Sequence, residues 1–384
     1  MKKVIFAYYI CAILIFTGFI SHESDAPEIF IYSKKYFVIL VALAIILLIA
    51  IPWWINSFMR KNGVKVLFMT LIPSLMTLFF VYLGGHYYYY QTQEHLFDPF
   101  LQIPPNKYEF SSEKDTTIFR VLCIGGSTTR NVRLDTVNRY PSVLQRILNE
   151  KYPNKKIEVL NAGMDWYTSK HTIINYTVYA RDFQPDIVIV MHGINDLYRS
   201  FSPATLAIGE YKSDYTHFYG PSINGAKPPT FESRINYVIR KFWYTPTLDP
   251  ASFDISVFKS LKDFRKYMSN IVEILQNDGA EVILVSQPYF YKTEMSTEEE
   301  KVLWMDRGMC ILDGKYPNQE TMALAMDAYN MSAAAIAAKY KTTFVHGEPA
   351  IPKDLDYFID DVHFTSLGAK ILAEKIAEKI KLRE

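Results

Sequence analysis

Val121-Leu122-Cys123-Ile124-Gly125-Gly126-Ser127-Thr128-Thr129 is the stretch whose reading decides the fold. Four apolar residues in a row predict a buried strand. The two glycines then predict a tight turn in which a ligand can approach the backbone. Ser127 follows where the next helix should begin. Its hydroxyl is a candidate nucleophile, and the backbone N–H groups around it can hold developing negative charge. The competing reading is a serine that only caps a helix. The stretch is not a phosphate loop, because no Gly-Lys-Ser/Thr follows. Nor is it the nucleophile elbow of α/β-hydrolases, because Thr129 stands where Gly-x-Ser-x-Gly needs glycine.

Working outward, apolar runs alternate with helical patterns. Strands are predicted at 119–124, 157–160, 187–191, 282–286 and 342–345, and helices near 140–151, 169–181, 257–278, 319–339 and 365–381. Strands alternating with helices predict a parallel sheet with helices on both faces. In such sheets ligands bind beyond the carboxyl ends of the strands, so functional residues are expected there. Ser127 follows the first strand, Asn161-Ala162-Gly163 the second and Gly193-Ile194-Asn195-Asp196 the third. Asp360-Asp361-Val362-His363 lies just before the last helix.

A serine nucleophile needs a base, a group that orients the base, and donors for the oxyanion. His363 can be the base. Asp360, three residues earlier, can hold its imidazole, whereas Asp361 points elsewhere if the loop is extended. The oxyanion donors would be the backbone N–H of Ser127, the backbone N–H of Gly163 and the side-chain amide of Asn195. Each residue also has a plainer reading: a cap on the last helix for Asp360 or Asp361, a polar loop residue for His363, a turn for Gly163, and an Asx turn for Asn195-Asp196. Their joint occurrence after successive strands favours the catalytic reading.

Two long segments interrupt the alternation, at about 200–254 and 287–318. The first is rich in Tyr, Pro, Ser and Gly and includes Tyr211, Tyr215, Tyr219, Tyr237, Trp243 and Tyr244; the second contains Trp304. Loops of this length are usually functional lids or disordered. Their aromatic residues can stack on sugar rings, pack the insertion onto the domain, or meet lipid headgroups.

The chain has 384 residues, 49% of them hydrophobic, and a net charge of +1. That length allows one large soluble domain plus something else. Near-zero charge without a basic stripe argues against nucleic acid as a partner. Cys11, Cys123 and Cys310 form neither a disulfide framework nor a metal-ligand spacing. Residues 4–20, 36–55 and 66–85 are almost wholly apolar, each close to the roughly 20 residues of a bilayer span. They predict an N-terminal transmembrane region over 1–90, a Pro-marked linker over 91–117, and a soluble domain over 118–384. Lys2, Lys3, Arg60, Lys61 and Lys65 place the N-terminus and the second loop in the cytoplasm by the positive-inside rule, against Lys34 and Lys35 in the first loop. The third span would then deliver the soluble domain outside the cytoplasm. The spans carry no internal Asp, Glu, Lys or Arg, which argues against an intramembrane ion path.

The four strand-end sites, in this order, resemble the SGNH (GDSL-type) hydrolase superfamily, named for Ser, Gly, Asn and His. The resemblance covers about residues 118–381. Gly125-Gly126-Ser127-Thr128 is similar to the first block, Gly163 supplies the second, Gly193-Ile194-Asn195-Asp196 meets the third (Gly-x-Asn-Asp), and Asp360-Asp361-Val362-His363 meets the fifth (Asp-x-x-His). The resemblance implies a flavodoxin-like three-layer α/β/α sandwich, the SGNH hydrolase fold, here preceded by the transmembrane region. It implies Ser127 as nucleophile, His363 as base, Asp360 as orienter, and Ser127, Gly163 and Asn195 as the oxyanion hole, with no cofactor and no metal. One departure stands out: the family often has Gly-Asp-Ser, and here Gly126 replaces the acidic residue.

The expected function is therefore a membrane-anchored, extracytoplasmic serine ester hydrolase acting on an acylated carbohydrate. Its expected partners are the lipid bilayer and a membrane acyl-transfer or glycan-export protein. Two alternatives stay open: an O-acyltransferase working through the same acyl-serine, and a catalytically silent glycan-binding or assembly protein.

Overall fold

In the computed structural model, which describes residues 113–115, 117–201, 213, 215 and 249–382, the glycine-rich stretch is a strand running straight into a helix. Strand β1 (Ile118–Gly125) leads into α1 (Ser127–Arg130). Next come α2 (Tyr140–Lys151), β2 (Lys156–Asn161), α3 (Ser169–Asn175), β3 (Ile187–Met191) and α4 (Ile194–Leu197). After a short strand, β4 (Asp249–Ala251), the chain forms α5 (Ser260–Asn277) and β5 (Glu281–Val285). It then forms α6 (Thr297–Val302), α7 (Met305–Met309), β6 (Lys315–Pro317), α8 (Gln319–Tyr340), β7 (Thr343–Val345) and α9 (Ser366–Lys379).

Five strands form one parallel sheet in the order β2-β1-β3-β5-β7, and β4 pairs with β6 separately. The central strands are unbroken runs of buried aliphatic residues, such as Ile187, Val188, Ile189, Val190 and Met191 in β3. A strand reads that way only when both its faces are covered. Connections between parallel strands are right-handed, so the step from β1 out to β2 and the steps from β2 back through β3, β5 and β7 put their helices on opposite faces. In agreement, α2 packs with α9, while α5 packs with both α3 and α8. The result is the α/β/α layering expected from the sequence. The strand order reverses beside β1, and the crevice at that reversal lies at the carboxyl ends of β1 and β3. Ser127 and Asn195 follow those two ends.

One expectation is revised and one open reading is decided. The helix expected over 169–181 is α-helical only to Asn175; a π turn (Tyr176–Ala180) and a 3-10 turn (Arg181–Phe183) complete it. The segment 287–318 is built into the domain as α6, α7 and β6. It buries Tyr289, Phe290, Tyr291, Leu303, Met305, Met309 and Cys310 in the main core. The three expected spans, most of the linker and most of 200–254 lie outside the described residues. Among the described residues no helix is long and apolar enough to cross a membrane.

Candidate active site

The loops after β1, β2 and β3 meet around one carboxamide. Gly126 separates β1 from Ser127 and has an extended backbone, φ −86° and ψ −156°, which any residue can adopt. What requires glycine there is proximity. A Cβ at this position would sit 2.6 Å from Asn195 Nδ2 and 3.3 Å from the Tyr167 carbonyl oxygen. Asn195, buried in α4, donates from Nδ2 to that same Tyr167 carbonyl at 2.9 Å. Asn195 therefore ties the β3 loop to the β2 loop while lying directly over the turn that precedes Ser127. The amide nitrogen has a second hydrogen, which is the one an oxyanion would use.

Gly163 lies equally close to α1: a Cβ on it would meet the Arg130 backbone nitrogen at 2.6 Å and Thr129 Cβ at 2.7 Å. Its N–H donates to Asn161 Oδ1 at 3.0 Å, and Asn161 Nδ2 donates to the Thr129 carbonyl at 3.0 Å. Asn161 thus clamps the Gly163 loop to α1, and in this state the Gly163 N–H is engaged within its own loop.

A residue that the strand-end rule could have singled out is Gln287, two residues past β5. Its Oε1 accepts the Ile194 N–H at 2.9 Å, and its Nε2 reaches Thr128 Oγ1 at 3.4 Å. Asn330 of α8 fixes the Gln287 backbone from both sides, accepting its N–H at 2.7 Å and donating to its carbonyl at 3.0 Å. Gln287 is buried, and it joins the residue after Ser127 to the residue before Asn195.

His363 and Asp360 come together as the spacing suggested. His363 Nδ1 lies 2.8 Å from Asp360 Oδ1 and 2.9 Å from Oδ2. A carboxylate can only accept, so the proton of the neutral imidazole belongs on Nδ1 and the lone pair on Nε2. Oδ1 also accepts the backbone N–H groups of His363 (2.9 Å) and Val362 (3.1 Å). Oδ2 takes its other contacts from outside the loop: Trp304 Nε1 at 3.1 Å and Arg133 Nη1 at 2.9 Å. Burial by itself would push the Asp360 carboxyl up. The hydrogen bond and charge of His363 and the charge of Arg133 outweigh it and hold the carboxyl below its ordinary range.

Asp361 turns into the core. Its carboxylate accepts the Tyr291 hydroxyl at 2.7 Å and the backbone N–H groups of Trp304 (3.0 Å) and Met305 (3.2 Å). Burial, with the charges of Asp306 and Asp360 adding to it, pushes this carboxyl up to about 7. Neither aspartate caps the last helix; Thr365 does, accepting the Gly368 N–H at 3.4 Å. Asp196 is also buried and anchors the start of α3, accepting from Ser169 Oγ at 2.5 Å. Arg133, Tyr167 and Gln287 carry no signal in the sequence beyond their nearness to a strand end or to Ser127. Among the described residues no group of three His, Cys, Asp or Glu side chains is arranged to hold a metal ion.

The sequence pattern of the GDSL-like Lipase/Acylhydrolase family matches residues 123–371. Among solved structures, the chain is similar to Axe2, an acetylxylan esterase from Geobacillus stearothermophilus. Identity is 18%, the match covers 69% of this chain and 95% of that one, and the TM-score is 0.41. It is also similar to LAE5, an alpha/beta hydrolase enzyme from the metagenome of Lake Arreo, Spain, at 13% identity, covering 70% of this chain and 96% of that one, with a TM-score of 0.41. Comparison with curated proteins gives no match.

Proposed function

The chain belongs to the GDSL-like Lipase/Acylhydrolase family, a family of carboxylic ester hydrolases, and from that premise we propose that it is a membrane-anchored, extracytoplasmic serine esterase removing acyl groups, acetyl foremost, from a carbohydrate. The observation that carries the catalytic part is the Asp360–His363 pair. A buried, ionised carboxylate holds Nδ1 by both oxygens and leaves the Nε2 lone pair to take a proton.

Ser127 Oγ attacks the acyl carbonyl carbon as its proton passes to His363 Nε2. The tetrahedral oxyanion is met by the Ser127 N–H and the second Asn195 amide hydrogen, with the Gly163 N–H joining once it leaves Asn161. All are neutral donors, and the Asn195 amide is fixed beforehand by its bond to Tyr167, which is what makes such a site effective. The carbon–oxygen bond to the sugar then breaks, and His363 returns its proton to the leaving alkoxide. Water attacks the acyl-serine with His363 again taking the proton; the bond to Ser127 Oγ breaks, Oγ takes back that proton, and the acid departs.

Two features support the carbohydrate and membrane parts of the reading. Trp304, 38% exposed, and Trp166 stand together beside the triad, and aromatic rings suit the C–H faces of sugars. The three apolar runs before residue 90 suit an anchor that leaves the domain outside the cytoplasm.

The test uses the full-length protein in detergent. Release of p-nitrophenol from p-nitrophenyl acetate should fall by roughly 10³-fold or more in Ser127→Ala, and a fluorophosphonate probe should label the wild type but not this variant. Acetate should then be released from acetylated glycans. A folded wild type with neither turnover nor label overturns the hydrolase reading in favour of a silent binding protein. Acyl transfer to a sugar acceptor that outruns hydrolysis replaces it with an O-acyltransferase.

A further inference from the structure

Asp360 is held on its two oxygens by different parts of the chain. Among the described residues, Oδ1 is bound from within its own loop, by His363 and Val362. Oδ2 shares His363 Nδ1 and also reaches outside the loop, to Arg133 and Trp304. The Arg133 side chain is 42% exposed, so solvent screens its hold and leaves it free to depart. Trp304 is held differently. Its own N–H and that of Met305 are bound by the fully buried Asp361 carboxylate, which Tyr291 also holds. The Asp361 carbonyl accepts the Phe290 N–H at 2.8 Å, so the segment after β5 is fastened to the loop carrying Asp360 and His363 on both sides. On its ring side, Trp304 packs edge-to-face on Trp166, with centroids 6.4 Å apart and planes at 76°. Trp166 sits in the Gly163 loop with φ of 66°, a left-handed conformation that a bulky residue keeps only when its surroundings impose it.

We propose that Trp304 is a positioning residue for the triad: its indole N–H fixes the plane of the Asp360 carboxylate and, through it, the imidazole of His363. A carboxylate held only from within its own loop can rotate about its χ2 bond together with the imidazole it carries. A second donor on Oδ2, anchored to a buried element, removes that freedom. Because Nδ1 uses both oxygens, holding the plane holds the ring, and hence the direction of Nε2. The segment 287–318, which reads in the sequence as an interruption, thereby completes the acid–base machinery. This inference rests on the triad assignment proposed above, while the hydrogen-bond geometry it invokes can be tested separately.

The experiment takes the full-length protein with Trp304→Phe, which removes the N–H and keeps an aromatic ring. Two quantities are read: kcat and KM on p-nitrophenyl acetate, and the low-field proton resonance of His363 Nδ1–H, identified by its loss in His363→Ala. Expected are a fall in kcat of roughly 10- to 100-fold at unchanged KM, the range for one hydrogen bond to a charged group, and a shifted, faster-exchanging resonance. A wall residue acting only by contact would raise KM and leave the resonance in place, and that result overturns the proposal. So does kcat within twofold of wild type. If the wild type itself shows no Ser127-dependent turnover, the catalytic reading fails, and the resonance alone decides the positioning tie: moved in Trp304→Phe it stands, unmoved it falls. Trp304→His, which offers a ring N–H again, is the second variant. Recovery of kcat above the Phe variant supports the donor role, and a value no higher, with an unmoved resonance, refutes it.

Discussion

Gly126→Ala adds one methyl group at the place where this chain departs from Gly-Asp-Ser. The backbone there is extended, so alanine brings no conformational strain. The whole effect must come from the 2.6 Å between the new Cβ and Asn195 Nδ2, about 0.8 Å short of the 3.4 Å at which ordinary contact begins. The obstacle on the other side is the Tyr167 backbone carbonyl, 3.3 Å away, which gives little. The Asn195 carboxamide must therefore retreat, and its 2.9 Å bond to Tyr167 breaks in a buried setting. Overpacking plus one lost buried hydrogen bond costs about 1–3 kcal/mol, equivalent to a fall in Tm of about 2–10 °C for a domain of this size. On the oxyanion role proposed for Asn195, a displacement approaching 1 Å costs roughly 10²-fold in kcat. The assay is a double-mutant cycle with Asn195→Ala, read by thermal melting and by p-nitrophenyl acetate turnover. With the carboxamide gone, the space is open and the Gly126 substitution should add almost nothing. If Gly126→Ala alone leaves kcat and Tm unchanged, or if the two effects simply multiply, then Asn195 does not occupy the space in the way described, and the reason offered for glycine at this position is wrong.

Two further outcomes follow from the same geometry. Gln287→Leu should leave the buried Ile194 N–H without its acceptor, cost about 1–3 kcal/mol of stability, and lower kcat more than it changes KM, because it frees the Ser127 turn from the Asn195 helix; unchanged melting would refute the tie. Asp306 is fully buried, its Oδ2 has no hydrogen-bond partner among the described residues, and burial pushes its carboxyl up to about 6, while Asp361 beside it rises to about 7. Between about pH 4 and 7 the folded protein therefore keeps protons that the unfolded chain has released, so this pair makes stability fall as pH rises through that window. Asp306→Asn should stabilise the protein at pH 8 by an amount on the order of 1–2 kcal/mol, read as a higher Tm, with little change at pH 5. Thermal melts at the two pH values check it, and a pH 5 to pH 8 gap as wide as that of the wild type would count against the repulsion.

How much was legible depends on where the information lies. The strands β1, β3 and β5 announce themselves because a strand buried on both faces must be a continuous aliphatic run, and their spacing by helices is enough to imply a parallel sheet. The end of α3 is not legible in the sequence because a π turn continues the coil without a break in pattern. The segment 287–318 stays open between lid and packed insertion in the sequence for a different reason. Tyr289, Phe290 and Tyr291 are consecutive and all buried, so they carry neither the period of a strand nor that of a helix, and only the surrounding core explains them.

The site divides in the same way. Sequence alone determined which chemical groups are available and that Ser127, Gly163 and Asn195 follow strand ends, because the carboxyl edge of a parallel sheet gathers whatever comes after each strand. It also paired Asp360 with His363, since three residues of loop are short enough to bring the two together. What only the tertiary structure decided is which donor meets which oxygen: that Asn195 fills the room left at Gly126, that Gln287 bridges two turns, and that Trp304, more than fifty residues before Asp360, closes on its outer oxygen. Hydrogen bonds of about 3 Å between side chains far apart in the chain are set by how the helices and loops pack, and no local pattern of residues encodes that distance.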